Sequence, residues 1–169
     1  MSEYSIAWWN LENLFDAIPW DERARKVKNT QNLEEKLKDW NAEVLDAKLT
    51  QLASVIKEMN NGKGPDLLGV CEVENESVLR KLTEKIKTGN LSNRNYDVVH
   101  NDSPDERGID VAFIYDKNLF GFYVKDPNAP EGSDDRKYWF SHEVIKRSPT
   151  RDILQVNFCP KNTRTNRSY

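Results

Sequence analysis

Apolar positions change their spacing along the chain, and each change marks a different kind of element. Ile6, Ala7, Trp8 and Trp9 form a short apolar run that meets Asn10, and Tyr4 to Phe15 reads as a strand followed by a short turn. From Asp16 to Asn32 polar and charged residues dominate and Pro19 breaks any helix, so the pattern predicts a long surface loop. Trp40, Val44, Leu45, Leu49, Leu52, Ala53 and Ile56 then recur at three- and four-residue steps, a helix that the "NNGKG" at Asn60 to Gly64 stops. "PDLLGVCEV", Pro65 to Val73, is a continuous apolar run of the kind expected for a strand buried on both faces. A second helix is predicted from Asn75 to Lys87, with Val78, Leu79, Leu82 and Ile86 on one face. Five strands follow, at Tyr96 to His100, Gly108 to Asp116, Leu119 to Asp126, Lys137 to Lys146 and Arg151 to Cys159, separated by turn clusters such as "NDSPDERG" and "DPNAPEGSDD". This order predicts an α+β fold: a sheet with two helices on one face and a second face that needs another cover.

Composition narrows the setting. The chain has 169 residues, 37% of them hydrophobic, enough for one core and one domain over 1–169 with a polar tail at 160–169. No run approaches the roughly 18 apolar residues of a membrane span, and "MSEYSIAWWNLEN" lacks a basic leader, so a cytoplasmic location with no membrane partner is expected. Cys71 and Cys159 sit in apolar runs and are expected to be buried free thiols. The net charge of −3, from 25 basic and 28 acidic residues, carries no footprint of a strong nucleic-acid binder. It leaves room for an enzyme whose positive charge resides on a bound cation. Trp8, Trp9, Trp40, Tyr138 and Trp139 fall at core periods and are expected to pack rather than to stack on bases.

Four polar residues interrupt or begin apolar strands. Asn10 follows the first apolar run; it either closes that strand or offers an amide to a site. Glu72 ends the buried run "LLGVC", where an ionised carboxylate is costly unless it is paired or coordinates a cation; the alternative is that it is the first solvated residue. If these two strands are neighbours, an amide and a carboxylate meet at one rim, as a hard divalent cation with oxygen ligands requires. Asp110 lies within "RGIDVAFIY", facing either solvent or a site, with Arg107 and Gly108 suggesting a close approach just before it. Arg151 opens the strand in "SPTRDIL". His100 and His142 are the two histidines; His100 precedes the loop "NDSPDERG" at the end of its predicted strand, and His142 sits mid-strand.

"WNLENLFD", "GVCEVEN", "HNDSPDERGIDVAFIYD" and "SPTRDILQVNF" resemble, in order, the N-terminal motifs of the endonuclease/exonuclease/phosphatase superfamily, most closely its bacterial members of unassigned substrate. The resemblance implies a deoxyribonuclease I-like two-sheet sandwich with outer helices, of which this chain is expected to hold only the N-terminal sheet-and-helices half. It implies hydrolysis of a phosphodiester or phosphomonoester, in nucleic acid among other substrates, with Mg2+ or Mn2+. Carried over, Glu72 is the metal-binding glutamate, Asn10 orients the phosphate and the metal, Asp110 supports the site, and Arg151 is a basic residue of unassigned role. The family's C-terminal motifs, a histidine at an Asn-His-Trp-Pro-like strand end, an Asp-x-Asn motif after it and a closing Asp-His pair, have no counterpart here. A truncated chain, inactive alone and open to a homodimer or to its missing half, is therefore expected. The alternatives are a phosphate-ligand module without turnover and a self-association module.

Overall fold

The computed structural model describes residues 3–144 and 150–161. Its central sheet holds four strands in the order β1 (Ile6–Leu14), β2 (Leu67–Val73), β4 (Asp110–Asp116) and β3 (Tyr96–His100). β1 and β2 are parallel, while β4 runs antiparallel to both of its neighbours. A parallel pair needs a long crossover, and α3 (Ala42–Gly62) supplies it. The helix starts where the Asn41 side chain accepts from the backbone N–H groups of Glu43 and Val44, and its regular geometry gives out at Met59 to Asn61. α4 (Glu76–Ile86) is capped in the same way by Asn75, which accepts from Val78 N–H at 2.9 Å. Leu45, Leu49, Leu52 and Ile56 of α3 join Val78, Leu79, Leu82 and Ile86 of α4 over Leu68, Val70, Ala112 and Ile114 of the sheet. The two helices thus cover one face.

The second face is divided. Over β4 it is covered by a ribbon of β5 (Phe120–Phe122) and β8 (Phe158–Pro160), through Phe158 against Phe113 and Tyr115 and Phe122 against Tyr115. The chain therefore supplies part of the cover that the pattern of its strands left unaccounted for. A second ribbon joins β6 (Trp139–His142) to β7 (Ile153–Val156), and Asn157 ties the ribbons together by donating to Tyr138 O and accepting from Tyr123 N–H. Over β1 and β2 the described residues leave the face open. Trp8 lies against Gly69, where a β-carbon would stand 2.2 Å from the indole, and remains 61% exposed; Ile6 is 68% exposed. The expectation that Trp8 packs in the core is corrected: its ring rests on the open side of the sheet.

Other expectations change as well. The predicted loop of 16–32 contains a 3-10 turn at Trp20–Glu22 and α1 (Arg25–Lys28), with α2 (Leu33–Lys36) just after it. These short turns build a second small core from Phe15, Val27, Leu33 and Ile109, flanked by Trp20, Leu37 and Trp40. Gly108 makes room for it: its φ is +68°, and a β-carbon there would meet Val27 at 2.4 Å. Charge was a misleading sign of exposure in this segment, because Arg23 and Asp16 are buried against each other and against Glu74, just after β2, and Lys81 of α4. The strand expected at Leu119 to Asp126 shortens to β5, and part of the one expected at Lys137 to Lys146 lies outside the described residues. The last splits into β7 and β8, so the polar tail begins after Pro160. Cys71 is half-buried and Cys159 exposed on β8, which pairs with β5; both thiols are free. Among the described residues no helix is long and apolar enough to cross a membrane.

A charge pair with both side chains buried joins the segment after β1 to the residue after β2. Arg23 Nη1 donates to both carboxylate oxygens of Glu74 at 2.6 Å and Nη2 to Asp16 O at 2.7 Å, while Asp16 N–H donates to Glu74 Oε2 at 2.7 Å. Arg23→Met leaves the Glu74 carboxylate buried without its cation, so urea unfolding is expected to show a loss of about 3–5 kcal/mol. The double variant Arg23→Met, Glu74→Leu is expected to regain most of it; equal losses in both would contradict the ion-pair assignment.

Candidate functional site

β1 and β2 pair regularly as far as Asn10 and Cys71, then both leave the ladder, and pairing resumes at Leu14 and Val73. Glu12 (φ 51°) and Asn13 (φ 57°) carry β1 through this break in the left-handed region. Glu72 (φ 64°) does the same in β2, between the pairs Cys71–Val111 and Val73–Asp110. None of the three is glycine, and a left-handed Glu costs roughly 1–2 kcal/mol. Bulges of this kind re-aim side chains, and strained backbone gathers at functional sites. Asn10 does not close its strand: its Oδ1 accepts from Glu12 N–H at 2.8 Å and shapes the turn, with the amide exposed at the rim. The structure places Glu72 immediately after the residue paired with Asn10, so the two polar interruptions stand on adjacent strands at one edge.

Arg151 reaches this rim from the residues before β7. Its Nη1 lies 3.9 Å from Glu72 Oε1 and its Nε 3.6 Å from Asp105 Oδ2. Burial pushes the Cys71 thiol up, and the neighbouring Arg151 only partly offsets this. Asp105 is buried; burial alone would raise its carboxyl, but hydrogen bonds from the Arg107 side chain and N–H hold it below the usual range. Lys48, on α3, donates to Glu12 O at 2.6 Å, and burial lowers its pKa against the opposing field of Glu12 and Glu72.

Asp110 faces neither solvent nor the rim. It is fully buried, with Oδ1 accepting from Ser103 N–H at 3.0 Å and Ser103 Oγ at 2.5 Å, and Oδ2 from Lys26 Nζ at 3.0 Å. His100 ends β3, as the strand period predicts, with its side chain 6% exposed; its Nε2 approaches Asp110 Oδ2 at 3.3 Å without the alignment of a full hydrogen bond. Burial would raise the Asp110 carboxyl, yet His100, Ser103 and Lys26 together hold it down. His142 is exposed and bonded to Gln155, away from this cluster.

Asn10, Glu72 and Arg151 therefore share one rim, and Asp110 stands behind it. Asp105, Lys26, Lys48, Ser103 and His100 were not singled out as site residues from the sequence. Only the Asp105 and Arg107 spacing in "SPDERG" carried a local signal; the other partners are set by contacts such as that of Lys26 with Asp110, 84 positions apart.

Among the described residues no three His, Cys, Asp or Glu side chains gather into a ready cation cage. The donors at the rim are the Glu72 carboxylate and the Asn10 amide oxygen, which keeps one lone pair beyond its bond to Glu12. Two oxygen donors fit Mg2+ or Mn2+, ions that bind through one or two carboxylates and retain water.

The chain belongs to the endonuclease/exonuclease/phosphatase family, whose sequence profile matches residues 5–158. No curated protein and no solved structure shows a significant match to it. The family is generally dependent on divalent metals and acts on phosphoesters, and the mixed sheets and helices described above fit its α+β fold.

Because the Asp110 carboxyl is held below its ordinary value, its stabilising contribution is complete above about pH 4 and fades as pH falls through the folded-state value. Asp110→Asn is expected to cost on the order of 3 kcal/mol at pH 7 in urea unfolding. The stability gap between variant and wild type should narrow near pH 3; a gap independent of pH would contradict the assignment.

Proposed function

We propose that this chain is a nuclease-type phosphoesterase domain dependent on Mg2+ or Mn2+, with its metal donors at the paired break in β1 and β2. The observation that carries the reading is Glu72: a left-handed carboxylate raised out of the ladder, beside Asn10 and 3.9 Å from a guanidinium. Glu72 and Asn10 would hold the cation, which when bound supplies charge neutralisation at a phosphoryl oxygen. Arg151 sits where a phosphate approaching Glu72 would meet it and offers a planar donor pair to the non-bridging oxygens.

Asp110 acts at one remove, as a positioning residue. Through Ser103 it anchors the loop that carries Asp105 and Arg107, and Asp105 in turn lies beside Arg151. Neither histidine is placed to act as general base for the attacking water: the His100 imidazole is buried against Asp110, and His142 is bonded to Gln155. Turnover by this chain alone is therefore expected to be slow, and metal binding is the primary readout.

A second reading, self-association through the open sheet face, is favoured by the exposure of Ile6 and Trp8. It predicts concentration-dependent dimerisation with no metal requirement.

Glu72→Gln keeps the shape of the side chain and removes its charge. Titration with Mn2+ is expected to show affinity reduced at least tenfold, together with loss of any Mg2+-dependent release of p-nitrophenolate from bis(p-nitrophenyl) phosphate. Unchanged Mn2+ affinity with an intact fold would overturn the proposed site.

A further inference from the structure

The break in β1 leaves Leu11, Glu12 and Asn13 outside the β1–β2 register, so the carbonyls of the two left-handed residues have no strand partner. Lys48 of α3 supplies one. Its Nζ donates to Glu12 O at 2.6 Å and reaches Asn13 O, which also accepts from Phe15 N–H, at 3.5 Å. A lysine on an exposed helix face is ordinarily solvated or paired with a carboxylate. Lys48 is instead half-buried, with its ammonium 5.7 Å from the centroid of the Trp40 ring, and among the described residues no carboxylate lies within salt-bridge distance of it. Trp40 is fixed to the same exit, since its indole N–H donates to Phe15 O at 3.1 Å. The exit of β1 is therefore held from Trp40, just ahead of α3, and from Lys48, about two helical turns further along.

Glu12 is also the residue that holds Asn10. Its N–H donates to Asn10 Oδ1 at 2.8 Å, while its carbonyl is the one that accepts from Lys48. The peptide planes are rigid, so only φ and ψ of Glu12 relate the two bonds. A glutamate at φ 51° is strained and would relax out of the left-handed region if either bond were released. Relaxation would carry the Glu12 N–H away from the Asn10 amide.

We infer that Lys48 is a positioning residue of the rim: by holding Glu12 O it keeps Glu12 left-handed, and through the Glu12 N–H it fixes the Asn10 amide. This rests on the phosphoesterase reading above for the cation that Asn10 would hold, and adds to it a residue on α3 that touches neither cation nor substrate. Charge alone would act in the opposite sense. The Lys48 ammonium lies in the field of Glu72, where it repels a divalent cation, so loss of the charge would tighten metal binding and loss of the positioning bond weakens it.

The test is Mn2+ titration of the full chain as a double-variant cycle, with amide hydrogen exchange on the metal-free chain beside it. Lys48→Met retains the helix propensity and the stem over Trp40 and removes the donor. It is expected to weaken Mn2+ binding about tenfold, as Asn10→Ala does, with no further loss when the two are combined. Exchange of the Glu12 amide should be several-fold faster in Lys48→Met, with β2 amides and the urea midpoint unchanged. In a chain whose Mn2+ binding depends on Glu72, tighter or unchanged binding in Lys48→Met would overturn the role, and so would the same loss with and without Asn10→Ala. Mn2+ affinity untouched in Glu72→Gln, with faster Glu12 exchange in Lys48→Met, sinks the metal site and retains Lys48 as the residue that positions Asn10. Weakened Mn2+ binding in Glu72→Gln, with Glu12 exchange and Mn2+ affinity unaltered in Lys48→Met, does the reverse.

Discussion

Two parallel strands that leave their hydrogen-bonding ladder at the same level are the constraint on which the rest of this molecule depends. Of the three left-handed residues, Asn13 is of a type that tolerates that backbone, whereas Glu12 and Glu72 together cost roughly 2–4 kcal/mol. The arrangement persists because the strands are rejoined just beyond it. Leu14 and Val73 are fully buried, Glu74 N–H donates to Leu14 O, and Arg23 clamps Glu74 to the backbone of Asp16. The pair fixes Glu74 and Asp16 in place on either side of the break, so the geometry is specified there even though a buried ion pair adds little net stability. Strain at the rim and burial behind it are thus two sides of one design.

Outward from that break, the electrostatics run against the charge of the whole chain. The protein is acidic overall, yet Arg151 stands within 4 Å of Glu72 and Arg107 and Lys48 lie in its field. Buried carboxylates make this possible: Asp105 and Asp110 organise Arg107, Lys26 and the loop between them without presenting negative charge to solvent. Near the rim Asp105 and Asp110 are buried while Arg107 is exposed and Arg151 half-buried, so the local charge there is not read from the net charge.

Much of the frame was legible in the sequence for a simple reason: helix and buried-strand periods follow local spacing. The α3 stripe, the apolar run of β2 and the ending of that run in Glu72 could be read directly. The bulge could not, since left-handed backbone at Glu72 is imposed by tertiary pairing and leaves no glycine as a marker. Nor could the fate of 16–32, where charged residues are buried by partners supplied from just after β2 and from α4. Asp110 illustrates the same limit: alternation left its direction open, and only Lys26 and Ser103, brought in from other segments, decide that it points inward. The family motifs marked Asn10, Glu72, Asp110 and Arg151 as a set, but distinguishing the rim residues from the one behind them required the fold.

The most direct measurement of the account is paramagnetic broadening of amide signals by substoichiometric Mn2+ on the isotope-labelled chain. Broadening centred on residues 10–12 and 71–73, displaced by excess Mg2+, is the predicted result. Broadening centred on another acidic stretch, such as Asp134 and Asp135, with the amides of Asn10 and Glu72 unaffected, would contradict the claim that the paired strand break is a cation site.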